Sequence, residues 1–172
     1  IINVTPYGEG HINTTYLITC DKKRYIMQKI NTTLFSKTDK LMNNIMLVTE
    51  HIRNEYPNET TLTLVYTLDG KSYLDCEYGS YRVYDFIENS VCLQIPRNTF
   101  EFYQSAVSFG DFTNMLSDFD ARQLYEILPN FHNTVKRFEN FEIALAKNLS
   151  NRAHLAVDEI RFALDRKEIV DR

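Results

Sequence analysis

Apolar and polar positions alternate over the first part of the chain and recur at helical spacing over the last. Residues 1–35 are β-prone. Ile12 to Thr19 and Arg24 to Ile30 predict two strands, and the polar Cys20-Asp21-Lys22-Lys23 between them predicts a hairpin turn. A helix follows, because Leu41, Ile45, Val48 and Ile52 form one apolar stripe that lasts to about Glu55. Ser36-x-x-Asp39 has the form of a capping box at its start, and Pro57-Asn58 ends it. Leu62 to Thr67 and Ser80 to Ile87 predict two more strands, with a short Ser72–Leu74 run between them and a turn signal at Asp69-Gly70.

Beyond Pro96 the period changes. Phe100, Tyr103, Val107 and Phe109 line one side of a helix that runs to about Leu116. Asp120–Leu128, Asn133–Leu149 and Asn151–Val170 predict three further helices. Strands first and helices afterwards give an α+β fold with two lobes. The expected division is 1–88 for the sheet-bearing lobe, a hinge at about 84–95, and 96–172 for the helical part.

Composition narrows the function. The chain has 172 residues, 44% hydrophobic and 24% charged, which excludes intrinsic disorder. A formal net charge of −4 argues against a nucleic-acid partner held by a general positive field. No apolar run approaches the roughly 20 residues that span a bilayer, and no signal-peptide pattern opens the chain, so we expect a cytoplasmic protein without a membrane partner. A start at Ile1 rather than Met predicts that the native N-terminus is missing or processed. Cys20, Cys76 and Cys92 fit no zinc spacing and are expected to be reduced, partly buried thiols.

Five segments could carry chemistry. Gly8-Glu9-Gly10-His11-Ile12-Asn13-Thr14-Thr15 brings two of the five glycines together just ahead of a strand. Such a loop lets backbone N–H groups approach a phosphate, with Asn13, Thr14 and Thr15 adding donors, or it serves only as a turn. Lys29, after Gln28 near the end of the next strand, is either a phosphate-pairing cation or a solvated lysine. In the first helix Glu50 is the candidate carboxylate partner for that lysine, while Asn43 and Asn44 occupy the middle turns. Tyr81 to Asn89, a strand that runs into a polar break, could offer backbone groups to an adenine edge; otherwise Arg82 and Asp85 form a surface pair there. His132 at a helix start is a base, a substrate ligand or a structural group, and His11, His51 and His154 are scattered. Gly110-Asp111-Phe112 and Asp118-Phe119-Asp120 look like pieces of a metal-binding Asp-Phe-Gly motif, but neither follows a strand.

In register, these segments resemble the aminoglycoside phosphotransferase and choline kinase superfamily, with its protein-kinase-like fold. The resemblance is greatest to the N-acetylhexosamine 1-kinase group. It is carried by Gly8-x-Gly10-His11-Ile12-Asn13-x-Thr15-Tyr16, Tyr25-Ile26-Met27-Gln28-Lys29-Ile30-Asn31, Val48-Thr49-Glu50-His51, Tyr81 to Asn89, Phe109 to Phe112 and Ile127 to Thr134. It implies a nucleotide-binding lobe made of an antiparallel sheet and one helix, followed by the first helices of an α-helical lobe. It also implies ATP and Mg²⁺ as cofactors and a small-molecule sugar, GalNAc or GlcNAc, phosphorylated at its anomeric hydroxyl. Gly8, Gly10, His11, Asn13 and Thr15 would cover the phosphates. Lys29, or Gln28 if the strand registers favour it, would take the place of the phosphate-pairing cation, with Glu50 as its partner. The backbone at Tyr84, Asp85 and Ile87 would meet adenine, and His132 would face the substrate.

The family's His-x-Asp-x-x-x-x-Asn catalytic loop and its Asp-x-Asp metal ligands do not occur in the 172 residues. We therefore expect no catalytic residue and no metal ligand within the chain. It would be the N-terminal half of a kinase, inactive alone, with exposed apolar helical surface suited to homodimer contact. The competing readings are a non-catalytic nucleotide-binding or interaction module, a kinase for choline, homoserine, methylthioribose or an aminoglycoside, and a purely structural α+β domain.

Overall fold

The computed structural model describes residues 1–91, 93 and 95–170, so Cys92 and part of the expected hinge lie outside the described residues. Six strands form one antiparallel sheet: β1 (Asn3–Pro6), β2 (Thr14–Thr19), β3 (Arg24–Lys29), β4 (Leu64–Val65), β5 (Leu74–Cys76) and β6 (Gly79–Asp85). Their order is β1-β2-β3-β6-β4, with β5 also on β6. Among the described residues there are four α-helices: α1 (Thr38–Glu55), inserted between β3 and β4, then α2 (Thr99–Met115), α3 (Thr134–Lys147) and α4 (Val157–Leu164). The fold is thus α+β, an antiparallel sheet with one helix followed by helices, as the resemblance implied. The chain forms two compact units, Ile1–Ile127 and Leu128–Arg172. Among the described residues no helix is long and apolar enough to cross a membrane.

In the first unit the core is small and well defined. Ile26 and Ile30 from β3 and its end, and Met42 and Ile52 from α1, are the buried apolar side chains. Thr49 and Ser80 are buried with their hydroxyls satisfied, by Ile45 C=O at 2.8 Å and the Asp75 carboxylate at 2.7 Å. The buried residues of α1 are Met42, Thr49 and Ile52; of the expected Leu41-Ile45-Val48-Ile52 stripe, Ile52 is buried and the other three are half-buried. The Asp69-Gly70 turn forms: Gly70 takes φ +79°, and its N–H reaches Thr67 C=O at 2.9 Å.

Several expectations are corrected. β1 is a strand of its own, and β2 begins at Thr14 rather than Ile12. The capping box is not formed: α1 starts one residue late, with Lys37 at the cap and no side-chain cap hydrogen bond, and the Thr38 hydroxyl donates back to Phe35 C=O at 3.2 Å. Cys76 is exposed rather than partly buried. Asp120–Leu128 is not a helix, only a 3₁₀ turn at Ala121–Gln123. The Tyr125 N–H and C=O that a helix would use are taken by the Asn44 amide at 2.9 and 2.7 Å.

In the second unit α3 matches the expected helix. Asn133 caps it by accepting from the Lys136 N–H at 2.8 Å, and Asn148 ends it in the left-handed region at φ 36°. The expected Asn151–Val170 helix is broken: only Val157–Leu164 is α-helical, between 3₁₀ turns at Ala153–Leu155 and Lys167–Ile169. Neither α2, α3 nor α4 fully buries a residue, and Phe100, Phe102, Tyr103 and Phe109 of α2 are exposed.

Candidate functional site

Register assigns side chains to faces. Partners directly opposite each other across neighbouring strands share a face, and successive residues alternate. Leu17, Ile26 and Tyr84 are opposite one another on β2, β3 and β6. So are Thr15, Gln28 and Arg82, two residues along on the same face, a shift of roughly 7 Å. One apolar-aromatic row thus lies beside one polar row. Tyr7, whose N–H donates to Thr15 C=O at 2.9 Å, brings β1 and the start of the glycine loop to the polar row.

The polar row is a chain of hydrogen bonds across three strands. Gln28 Nε2 donates to the Thr15 hydroxyl at 3.0 Å. Gln28 Oε1 accepts from Arg82 Nε at 3.0 Å and Nη2 at 2.8 Å. The Gln28 amide therefore fixes the Arg82 guanidinium in place. Arg82 is half-buried, and burial lowers its pKa from the ordinary arginine value. No carboxylate pairs with it among the described residues. Burial pushes the Tyr84 hydroxyl up, and the Arg82 charge offsets part of that rise. The surface pair expected between Arg82 and Asp85 does not form; Asp85 instead pairs with Lys23 at 2.7 Å.

At the other end of this face β6 leaves the sheet. Phe86 N–H donates to Arg24 C=O at 3.1 Å, and the Arg24 guanidinium lies 4.1 Å from the centre of the Phe86 ring. Arg24 also pairs with Glu88, holding that carboxyl below the usual range. The Tyr7 ring meets Phe86 edge-on at 5.8 Å, so an aromatic corner forms where the strand ends. Asp85 N–H is taken by Thr63 C=O at 2.9 Å, while the Ile87 N–H has no hydrogen-bond partner among the described residues.

The other site residues are distributed as follows. Gly8 takes φ +73°, and a side chain added at Gly8 or Gly10 would meet nothing within 4 Å, so the loop is open. His11 is exposed. Asn13 anchors the loop to the end of β3 by accepting from Asn31 N–H at 2.9 Å. Lys29 lies on the opposite face from Gln28, with its ammonium 5.9 Å from the Tyr81 ring centre and its stem against Gly79. Glu50 is exposed, and no ion pair joins it to Lys29 or to another cation among the described residues. His132, in the second unit, precedes the α3 cap and rests edge-on against Phe131 at 4.5 Å.

Residues that the sequence left without a role prove to be engaged. His51 Nε2 lies 3.0 Å from Met115 C=O and 3.2 Å from the Asp118 carboxylate, and its ring meets Phe119 edge-on at 5.2 Å. With Asn44, this fastens α1 to the 115–125 segment. An apolar cleft of about 470 Å³ lies alongside, lined by Ile45, Val48, Leu62, Ile87 and Phe112 among others. Arg82 was named from the sequence only as half of a surface pair. Its one sequence signal is a charged side chain between Tyr81 and Val83 in a β-prone run.

No family model matches the chain. Among solved structures, the spectinomycin phosphotransferase APH(9)-Ia in complex with ADP and spectinomycin is similar at 11% identity and a TM-score of 0.33. The match covers 91% of this chain and 52% of that one, so the chain spans about half the length of that structure.

Proposed function

We propose that the chain is the nucleotide-binding part of an ATP-dependent small-molecule kinase. One observation carries this reading: a single sheet face has at one end an aromatic corner with the Ile87 N–H, which has no partner among the described residues, and at the other a polar row with a half-buried cation beside an open glycine loop. A nucleoside phosphate has the same polarity along its length. A flat base with hydrogen-bonding edges would suit the corner, and the phosphates would suit the loop and cation. The resemblance in the Gly8–Tyr16 and Tyr81–Asn89 segments supports the same assignment.

As part of the whole protein we assign it phosphorylation of the anomeric hydroxyl of an N-acetylhexosamine, on the resemblance to that kinase group. Among the described residues no group of three or more His, Cys, Asp or Glu side chains could hold a metal ion, and we derive no step through Mg²⁺. Calorimetric titration of the chain with ATP and ADP tests the reading. Saturable binding is expected, and its absence overturns the proposal. A panel of hexosamines with ATP-Mg²⁺ and the whole protein tests the acceptor. Transfer to choline or an aminoglycoside but to no hexosamine would replace the sugar assignment.

A further inference from the structure

We propose that Arg82, held by Gln28, is the cation that binds the phosphate groups of the nucleotide. This deepens the nucleotide reading above and rests on it for the identity of the ligand. The argument begins with an unbalanced charge. An arginine taken partly out of water loses hydration, and in proteins such a group is normally compensated by a carboxylate. Among the described residues Arg82 has only the neutral Gln28 amide. Of the five guanidinium N–H groups, two are directed to Gln28 Oε1, and the other three meet no acceptor among the described residues. A planar fork with free donors matches the oxygens of a phosphate.

The surroundings select an anion rather than a neutral ligand. Gln28 turns its oxygen to Arg82 and its nitrogen to Thr15, so the Thr15 hydroxyl, already an acceptor, keeps its own proton to donate outward. Arg82 and Thr15 are therefore two donors flanking one amide, on the face that carries the start of the glycine loop. Lys29 is on the opposite face, against Gly79 and Tyr81, and cannot reach this group without leaving that packing.

Replacing Gln28 by glutamate tests the assignment with little change of shape. Gln28→Glu would give Arg82 an internal carboxylate and remove the free positive charge while keeping the hydrogen bonds to it. Arg82→Gln removes the cation itself. The purified chain and both variants are titrated calorimetrically with ATP, adenosine and tripolyphosphate, with thermal unfolding followed in parallel. For Gln28→Glu we expect a melting temperature no lower than that of the parent. ATP and tripolyphosphate should bind at least about tenfold more weakly, with adenosine unchanged. If ATP binds the parent and binds Gln28→Glu equally well, Arg82 is not the phosphate cation, and the nucleotide reading stands. If Lys29→Gln abolishes ATP binding while Gln28→Glu keeps it, the assignment is likewise overturned. If the parent takes tripolyphosphate but neither ATP nor adenosine, and Gln28→Glu loses it, the anion site stands and the nucleotide reading falls. If the parent binds none of the three, both fall.

Discussion

Gln28 and Lys29 are adjacent in sequence and lie on opposite faces of the sheet. Gln28 joins Thr15 and Arg82 through hydrogen bonds of 2.8–3.0 Å, while the Lys29 stem packs on Gly79. The Lys29 Cε atom comes within 2.8 Å of where a Cβ on Gly79 would stand, and Gly79 has φ +124°. Gly79→Ala should cost about 1–3 kcal/mol in urea unfolding, because an L-residue at that φ is strained. The lysine end can swing away, so Lys29→Ala in the same background should recover little. Full recovery would show that the contact, and not the backbone, sets the cost.

The tie between α1 and the 115–125 segment makes a second prediction. Asn44→Ala leaves the Tyr125 N–H and C=O without their partner and should destabilise the chain by about 1–2 kcal/mol. The amide of Tyr125 should exchange with deuterium faster than in the parent. An unchanged exchange rate would mean that water replaces the asparagine without loss.

Two positions on α1 should respond very differently. Ile52 is 2% exposed, so Ile52→Ala should cost about 2–5 kcal/mol from lost burial and the cavity left behind. Glu50 is exposed with no ion pair among the described residues, and Glu50→Gln should shift stability by no more than about 0.5 kcal/mol. Chemical unfolding of the two variants checks both. A large loss on Glu50→Gln would reveal a partner for its carboxylate.

The corner at the end of β6 should open in acid. Arg24 holds the Glu88 carboxyl below its ordinary value of 4.5. A carboxyl whose folded pKa is depressed contributes stability above the unfolded pKa and loses it as pH falls through the folded one. The Arg24–Glu88 contribution should therefore be complete near neutrality and fade below about pH 4.5. Glu88→Gln should flatten that part of the stability–pH curve. A curve of unchanged slope in the variant would assign the acid loss to other carboxyls.

Much of the fold was legible because periodicity reports it directly. The strands ending at Thr19 and Lys29, the helix ending at Glu55 and the turn at Gly70 match the hydrophobic pattern within a few residues. One failure comes from backbone groups diverted by a side chain distant in sequence. Asp120–Leu128 has a helical pattern, yet Asn44, 81 residues away from Tyr125, takes the hydrogen bonds that a helix would need. The site we propose draws on the glycines and the strand that the sequence singled out, but the cation we propose for it is a different residue. Lys29 is the conspicuous charge in the motif, whereas Arg82 gains its meaning only when β3 and β6 are paired and Gln28 falls opposite it. His51 was hidden for the same reason: its partners, Met115 and Asp118, are more than 60 residues further on.

The Thr15–Gln28–Arg82 row also bears on folding fidelity. A slip of one residue between neighbouring strands exchanges the two faces and is penalised by every apolar side chain at once. A slip of two keeps each side chain on its own face, and the alternation of Leu17, Ile26 and Tyr84 with their neighbours resists it only weakly. The polar row discriminates where the apolar pattern does not, because displacing β2 or β6 by two residues would separate Gln28 from the hydroxyl or from the guanidinium and leave their polar groups unmet. The residues assigned to the ligand thus act first as a proofreading mark, which the sheet must match before a site exists.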